Sequence, residues 1–228
     1  MGTPRAETSE QAAVVIDRLE ETYPDATISL TYSNRLELLI AVILSAQCTD
    51  ERVNATTQTL FEQYDDAADY ATAGQDEIAG LIDSITYYNS KAEYITTACE
   101  RIADEHDGAV PDTMAKLTDL HGVGRKTANV VLQHGHDIVD GIVVDTHAQR
   151  LSRRLGLTEN QRPEAIEQAL MELLPKDNWQ SVTHLFIDHG RAVCTARNPD
   201  CGECVLEDIC PSSKRDSDRD LASGEPWE

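Results

Sequence analysis

Four of the six cysteines crowd into one stretch, where Cys194, Cys201, Cys204 and Cys210 are spaced C-x6-C-x2-C-x5-C. Gly202 lies between two of them and lets the chain turn tightly enough for neighbouring thiolates to reach one centre. Four thiolates so close in sequence suit a four-cysteine metal site, either tetrahedral zinc or a cubane iron–sulfur cluster. A zinc ribbon usually pairs two symmetric CxxC knuckles and only one is present, so the two metals stand nearly even, with a slight tilt toward iron–sulfur. Disulfides are the weaker alternative. The start MGTPRAETSEQ has no apolar export segment, and a cytoplasmic chain keeps its thiols reduced. Cys48 and Cys99 stand apart in apolar helical stretches and read as small buried side chains.

A second constellation lies at 117–133, LTDLHGVGRKTANVVLQ. Gly122 and Gly124 flank Val123 between two helical segments. Glycines there allow a very tight turn and bare backbone N–H groups that can approach a phosphate, and the following helix aims its positive end at the same place. This pattern of helix, hairpin and helix holds a nucleic-acid backbone without reading sequence. Arg125 and Lys126 follow directly. Lys126 falls in the first helical turn, where the macrodipole disfavours a cation. A nucleophilic lysine gains from that, because at pH 7 an ordinary lysine is neutral in only about one molecule in 2,500. The plainer reading is a phosphate-contacting lysine with no covalent role.

Nineteen residues on comes VVDTHAQRLSRRLG. Its apolar lead delivers Asp145 to a helix N-cap, and capping alone is a sufficient reason for an aspartate there. A sharper reading sets this carboxylate beside Lys126, where it can stabilise a positively charged sugar in a dissociative transition state. Arg150, Arg153 and Arg154 extend from the same helix toward phosphates or simply toward water.

The elements that must carry these groups are helical. Ala12, Val15, Ile16 and Leu19 mark one face of a first helix, and 36–46 is apolar nearly all round, as the central helix of a core is. Further helices are expected near 50–63, 75–82, 90–106, 112–120, 125–134, 146–155, 163–173 and 178–189, with Asp112 and Asp145 as caps. The only strand-like run is the short IVV at 142–144, so the fold class is all-α. The polar stretch from Pro211 to the end reads as a disordered tail.

Composition narrows the partners less than it first promises. The 228 residues carry 41 acidic and 19 basic side chains, a formal net charge of −22, and only 5 of the cations are lysine. Such a balance argues at face value against nucleic acid and suggests a solvated acidic surface suited to the concentrated salt of a halophile. The charge is uneven, however. Residues 1–120 hold 7 basic and 23 acidic groups, 156–228 hold 7 and 15, and only the middle, 121–155, is net positive, with 5 against 3. No apolar run approaches the roughly 20 residues of a membrane span. A cytoplasmic chain with no membrane partner is expected.

These motifs together resemble the endonuclease III family, the bifunctional helix-hairpin-helix DNA glycosylases. The resemblance runs over about 8–210 and rests on LELLIAVILSAQCTD, YYNSKAEYI, LHGVGRKTANVVL, VVDTHAQRLSRR and HGRAVCTARNPDCGECVLEDIC, in that order. It implies a six-helix lobe over 27–139, with its helix-hairpin-helix near 112–135, and an iron–sulfur lobe from 1–26 plus 140–210, with 211–228 as the tail and DNA in the groove between the lobes. It makes Lys126 the nucleophile and Asp145 the second catalytic residue, and it resolves the metal as a 4Fe-4S cluster on the four cysteines. Gln47 fills the gap left by an extruded base. Tyr87 stands where relatives place an apolar wedge, so it either stacks in that gap or packs. Gly122, Gly124, Arg125, His147, Arg150 and Arg191 are the remaining expected DNA contacts. His121 replaces the proline of the usual LPGVG turn, which loosens the turn and adds a possible phosphate donor.

The implied activity is base-excision repair by a nucleoid-associated, cytoplasmic monomer. It removes oxidised pyrimidines from damaged double-stranded DNA and then nicks the abasic site through a lysine Schiff base. A monofunctional mismatch glycosylase shares hairpin and cluster but usually lacks the lysine. A non-catalytic DNA-binding or redox-sensing module would keep both Lys126 and Asp145 only by accident.

The clash between a net charge of −22 and a DNA partner makes a measurable prediction. Each neutralised phosphate contributes about −0.9 to the slope of log affinity against log salt. With cations confined to one stretch, that slope should be shallow, and folding and activity should persist at molar potassium chloride. Tightest folding and fastest cleavage below about 0.1 M salt, where the Debye length exceeds about 10 Å, would remove the halophilic reading and leave the glycosylase reading intact.

Overall fold

The computed structural model describes residues 4–213, and within them the all-helical expectation holds: ten α-helices, three short 3-10 turns and no strand. In chain order the helices are α1 (Pro4–Thr22), α2 (Arg35–Ser45), α3 (Asp50–Gln63), α4 (Ala67–Leu81), α5 (Tyr88–Glu105), α6 (Met114–Thr118), α7 (Arg125–Gly135), α8 (Thr146–Arg154), α9 (Pro163–Leu173) and α10 (Ser181–Ala192). Most of the expected tail, 214–228, lies outside the described residues. No helix among the described residues is long and apolar enough to cross a membrane.

Ser29–Asp140 forms one compact unit and holds α2 to α7. Its core is organised on α2, where Leu38, Leu39, Ile40, Ala41, Val42, Ile43 and Leu44 are all buried, as a helix apolar on every side must be. Asn34 starts this helix by accepting from the Glu37 N–H at 3.0 Å, and the Glu37 carboxylate returns to the Ser33 N–H at 2.6 Å. Against α2 pack α3, α5 and α7, and α4 lies along α5. The described parts of 1–28 and 141–228 form the second unit, with α1, α8, α9 and α10 around a separate core of Val15, Leu19, Leu151, Ile166, Leu170, Val182 and Phe186. One unit is therefore continuous in sequence, and the other is closed from both ends of the chain.

Three elements depart from their expected bounds. Helix α4 begins at Ala67, eight residues before the expected 75. Asp66 and Asp69 form a reciprocal capping box there, and the helix is interrupted at Gly74, at φ 76° and ψ 168°. Apolar periodicity registers only the half beyond that break. Helix α6 is five residues long where nine were expected, and its cap is Thr113, accepting from the Lys116 N–H, not Asp112. The chain leaves it early because Leu120 and Val123 donate to Leu117 and Leu120 in successive tight turns at 3.1 Å. Helix α10 starts at Ser181 because Lys176–Asn178 winds as a 3-10 turn, pinned by the Trp179 indole donating to the Leu174 carbonyl at 3.0 Å.

Asp66 closes both arms of the box at the start of α4, so Asp66→Ala should lower stability by about 1 kcal/mol, whereas Asp66→Asn should be nearly neutral. Urea unfolding of the three proteins measures this. Equal midpoints would mean that packing alone holds the first half of the broken helix.

Candidate functional site

The hairpin turn is built around a position that only glycine can occupy. Gly122 has φ 78°, and a Cβ there would overlap the Tyr94 ring of α5, whose Cδ2 would lie 2.7 Å away. Gly124 differs: a Cβ on it would meet nothing, so the space outside its backbone is open. As N-cap of α7 it offers no side-chain acceptor to the first helical turn, which suits an N-terminus that receives an anion. Arg125 and Lys126 occupy that turn, and both are exposed. His121 does not loosen the turn. Its ring meets Tyr94 edge-on, with centroids 5.0 Å apart, and α5 also grips the turn through Arg101, which donates to the Asp119 carbonyl at 2.8 Å and pairs with the Asp119 carboxylate.

Gln47 and Tyr87 are both in the left-handed region, at φ 53° and 58°, and both are exposed, Tyr87 by 64%. A non-glycine residue held there is uncommon and strained, and such strain gathers at working surfaces. Gln47 follows the end of α2, and Tyr87 is the N-cap of α5 with no side-chain cap bond. Cys48 is in this turn, not in a helix as expected; its N–H donates to the Ser45 carbonyl at 3.1 Å. Cys99 is buried on α5, where desolvation pushes its thiol up to about 12 and keeps it unreactive.

In the other unit the buried run Ile142, Val143 and Val144, fixed by the Thr183 hydroxyl donating to the Val143 carbonyl at 2.7 Å, ends at Asp145. One carboxylate oxygen of Asp145 caps α8, accepting from the N–H groups of His147 and Ala148 at 2.9 and 2.8 Å; the other meets His147 Nδ1 at 3.0 Å. One oxygen is thus taken by the cap and the other is held by His147. Gly190 lets α10 approach α8, since a Cβ there would lie 2.7 Å from both the His147 ring and the Arg150 guanidinium.

Arg150 donates to the carbonyls of Cys194 and Gly190, each at 3.1 Å, and Arg154 to those of Thr195 and Ala196, each at 2.8 Å. Both serve the cysteine loop. From α1, the Gln11 amide reaches the carbonyls of Leu155 and Ile209, and Arg18 the carbonyl of Val205 and the Asp208 carboxylate. Arg191 is exposed at the end of α10.

All four loop cysteines are free thiols. The other three lie close enough to Cys204 to raise its pKa, which burial above all pushes up to about 11, so a metal must displace the proton. Donors already face two of the sulfurs. Arg154 lies 3.2 Å from Cys194 Sγ, and the buried His189 has Nε2 3.4 Å from Cys204 Sγ and Nδ1 3.1 Å from the Tyr23 hydroxyl. Burial lowers the His189 pKa to about 4, so the ring is neutral; the tautomer that accepts from the Tyr23 hydroxyl at Nδ1 carries its proton at Nε2, facing the Cys204 sulfur. No three His, Cys, Asp or Glu side chains among the described residues gather as a single ion requires. Four cysteine sulfurs with N–H donors facing two of them are the ligand set of an iron–sulfur cluster, so the residues present fit one.

Residues 40–176 match the family model of the HhH-GPD superfamily base excision DNA repair protein, and 194–210 match the iron–sulfur binding domain of endonuclease III. Hairpin, fold and cysteine loop thus define a helix-hairpin-helix protein of base-excision DNA repair. The chain is 49% identical over 209 residues to the endonuclease III of Synechocystis sp., covering 92% of this chain and 95% of that protein. To the Escherichia coli K12 endonuclease III it is 40% identical over 196 residues, covering 86% and 92%. A solved structure of a trapped endonuclease III–DNA covalent intermediate superposes with a TM-score of 0.87 at 39% identity, over 94% of this chain and 99% of that one. A thermostable thymine-DNA glycosylase, at 20% identity and a TM-score of 0.81, shares the fold. The chain belongs to the endonuclease III family: it is a DNA glycosylase and abasic-site lyase that binds DNA and carries a 4Fe-4S cluster.

Protein purified without oxygen should be brown and hold about four irons per chain, and Cys204→Ala should lose that iron. Stoichiometric zinc in place of iron would overturn the cluster.

Proposed function

We propose that this enzyme removes oxidised pyrimidines from damaged double-stranded DNA and then breaks the strand at the abasic site, with Lys126 as nucleophile and Asp145 as its electrostatic partner. The observation that carries this is the exposed Lys126 in the first turn of α7, directly behind an N-terminus capped only by glycine. The backbone N–H groups around Gly122 and Gly124, with Arg125, hold a phosphate of the strand. The damaged nucleotide, already poorly paired, is the least costly to extrude. Gln47 and Tyr87 enter the space it leaves, the phenol ring stacking for about 1 to 3 kcal/mol.

The neutral Lys126 amine attacks the anomeric sugar carbon, and the bond to the base breaks with its electron pair leaving on the base. Asp145, through the oxygen not used in the cap, stabilises the positive charge that spreads over the sugar and takes the proton the amine releases. His147 holds that oxygen and, with the exposed Arg191, meets the DNA backbone, whereas the Arg150 guanidinium is turned to the carbonyls of Cys194 and Gly190. Opening of the sugar gives a Schiff base on Lys126, which acidifies the neighbouring sugar proton. Its removal expels the 3′ phosphate by β-elimination. Cys194, Cys201, Cys204 and Cys210 would hold the cluster, which would fix the loop that bears Arg197, and no step of this scheme calls on it for electron transfer. The enzyme acts as a monomer associated with the nucleoid, without a membrane partner. The monofunctional mismatch reading is disfavoured by Lys126.

Borohydride added during reaction with abasic DNA should reduce the imine and leave a covalent enzyme–DNA adduct, which Lys126→Ala should abolish. An undiminished adduct in that variant would remove Lys126 from the chemistry. Asp145→Asn keeps a capping oxygen and loses only the charge, so it should fold and bind DNA normally while excision slows at least a hundredfold. Equal excision rates would return Asp145 to the role of a helix cap.

A further inference from the structure

Lys91 is the one lysine of the described residues that is buried, 3% exposed, in a chain that holds only five lysines. It lies one turn into α5, on the face that also carries Ala92, Ile95, Ala98, Cys99 and Ile102 into the core. Its ammonium donates to the carbonyl of Leu44 at 2.8 Å and to that of Ala46 at 2.5 Å. These are among the last carbonyls of α2, which have no partner within the helix, and a cation there is favoured by the dipole. The residue after Ala46 is Gln47, at φ 53°. Lys91 is tied as directly to the second left-handed residue, since its own N–H donates to the Tyr87 carbonyl at 3.0 Å. Desolvation draws the Lys91 pKa down and the nearby Cys48 sulfur opposes that, while the two carbonyls receive the ammonium's hydrogens. A residue serving packing alone would be apolar here. The single charged group bridges the two strained, exposed turns.

We propose that Lys91 is a positioning residue for duplex opening, which locks the Gln47 turn to the Tyr87 turn so that both side chains enter the vacated gap as one rigid unit. This rests on the gap-filling role given above to Gln47 and Tyr87. A side chain that reaches two carbonyls of one turn and a backbone bond of the other fixes their spacing, which two loops would otherwise vary independently. Insertion then requires no ordering of either turn at the moment the base leaves the stack.

The test compares two substrates of the intact, cluster-loaded enzyme: a duplex with one abasic site, which has a gap to fill, and a single strand with the same site, which has none. Lys91→Met keeps the length and apolar stem and removes the charge. It should lower kcat/KM on the duplex about tenfold and change cleavage of the single strand less than twofold, with iron content unchanged. Lys91→Arg, which retains the donors, should recover duplex activity to within about threefold. In a Gln47→Ala/Tyr87→Ala background the Lys91→Met change should have no further effect beyond twofold, because the side chains it positions are gone. Equal losses on both substrates, or a full additional tenfold loss in that background, would overturn the positioning role. If Gln47→Ala/Tyr87→Ala itself spares the duplex, the gap-filling reading falls first and the inference with it; if it impairs the duplex and Lys91→Met does not, the inference alone falls. Should Lys91→Met not fold, Lys91→Gln, neutral but able to donate to one carbonyl, enters the same comparison with the same expected and overturning results.

Discussion

A protein that grips a phosphate with backbone N–H groups must bring its main chain close to the polyanion, and this is the constraint on which the hairpin unit depends. It is met at Gly122, where a positive φ and the face of Tyr94 leave no room for a side chain. The turn is thereby pressed against α5. Arg101 fastens its entry, through Asp119, to the same helix, and His121 adds a second ring contact. One turn before Tyr94, α5 holds the end of α2 through Lys91, and its N-cap is Tyr87. One 18-residue helix therefore fixes the spacing between the hairpin turn and the two exposed left-handed turns. From Tyr87 to Arg101 the helix advances about 21 Å, at 1.5 Å per residue, and is a rigid ruler between those turns.

The cysteine loop obeys a different rule. Residues 194–210 contain little regular structure beyond two 3-10 turns, so their carbonyls need partners from elsewhere. Arg150 and Arg154 of α8, with Gln11 and Arg18 of α1, supply them. Arginine suits this because its planar fork reaches two carbonyls from one rigid group, which an ammonium on a flexible stem does less well. The loop thus gains from the chain's preference for arginine over lysine. It also joins α1 to the C-terminal helices, so a unit assembled from both ends of the sequence is closed partly by hydrogen bonds to a loop.

Much of this was legible in the sequence where the signal is local. The four cysteines, the glycine pair, Asp145 at its cap and the buried α2 are each set by residue type and near neighbours. Reading failed where a boundary depends on a break or a distant partner. The first half of α4 is mostly alanine and polar residues, without apolar periodicity, and was found only through its capping box and Gly74. Arg101 and Tyr23 lie in no motif, and Tyr94 and His189, although inside quoted motifs, carry no local signal that names the ring, turn or sulfur each one meets in the fold. Lys91 did leave a trace. It is a lone cation on a helix face otherwise formed by Ala92, Ile95, Ala98, Cys99 and Ile102, and such a residue must find acceptors inside the protein.

The inward turn of Arg150 and Arg154 also changes how an acidic chain binds DNA. Counted along the sequence, 121–155 holds five cations against three acids. Two of the five, Arg150 and Arg154, donate to carbonyls of the protein and Arg153 is half-buried, so Arg125 and Lys126 are its exposed pair. Two exposed cations cannot offset the repulsion expected from a formal charge of −22, so affinity for DNA must come from interactions that need no net charge, as the proposed roles of the α7 N-terminus, Gln47 and Tyr87 would supply. Such contacts act within a few ångströms and are little screened, whereas the repulsion is long-ranged and falls with salt. Net charge therefore governs the rate and salt dependence of encounter, and the geometry at Gly122, Gln47 and Tyr87 governs what is held after it.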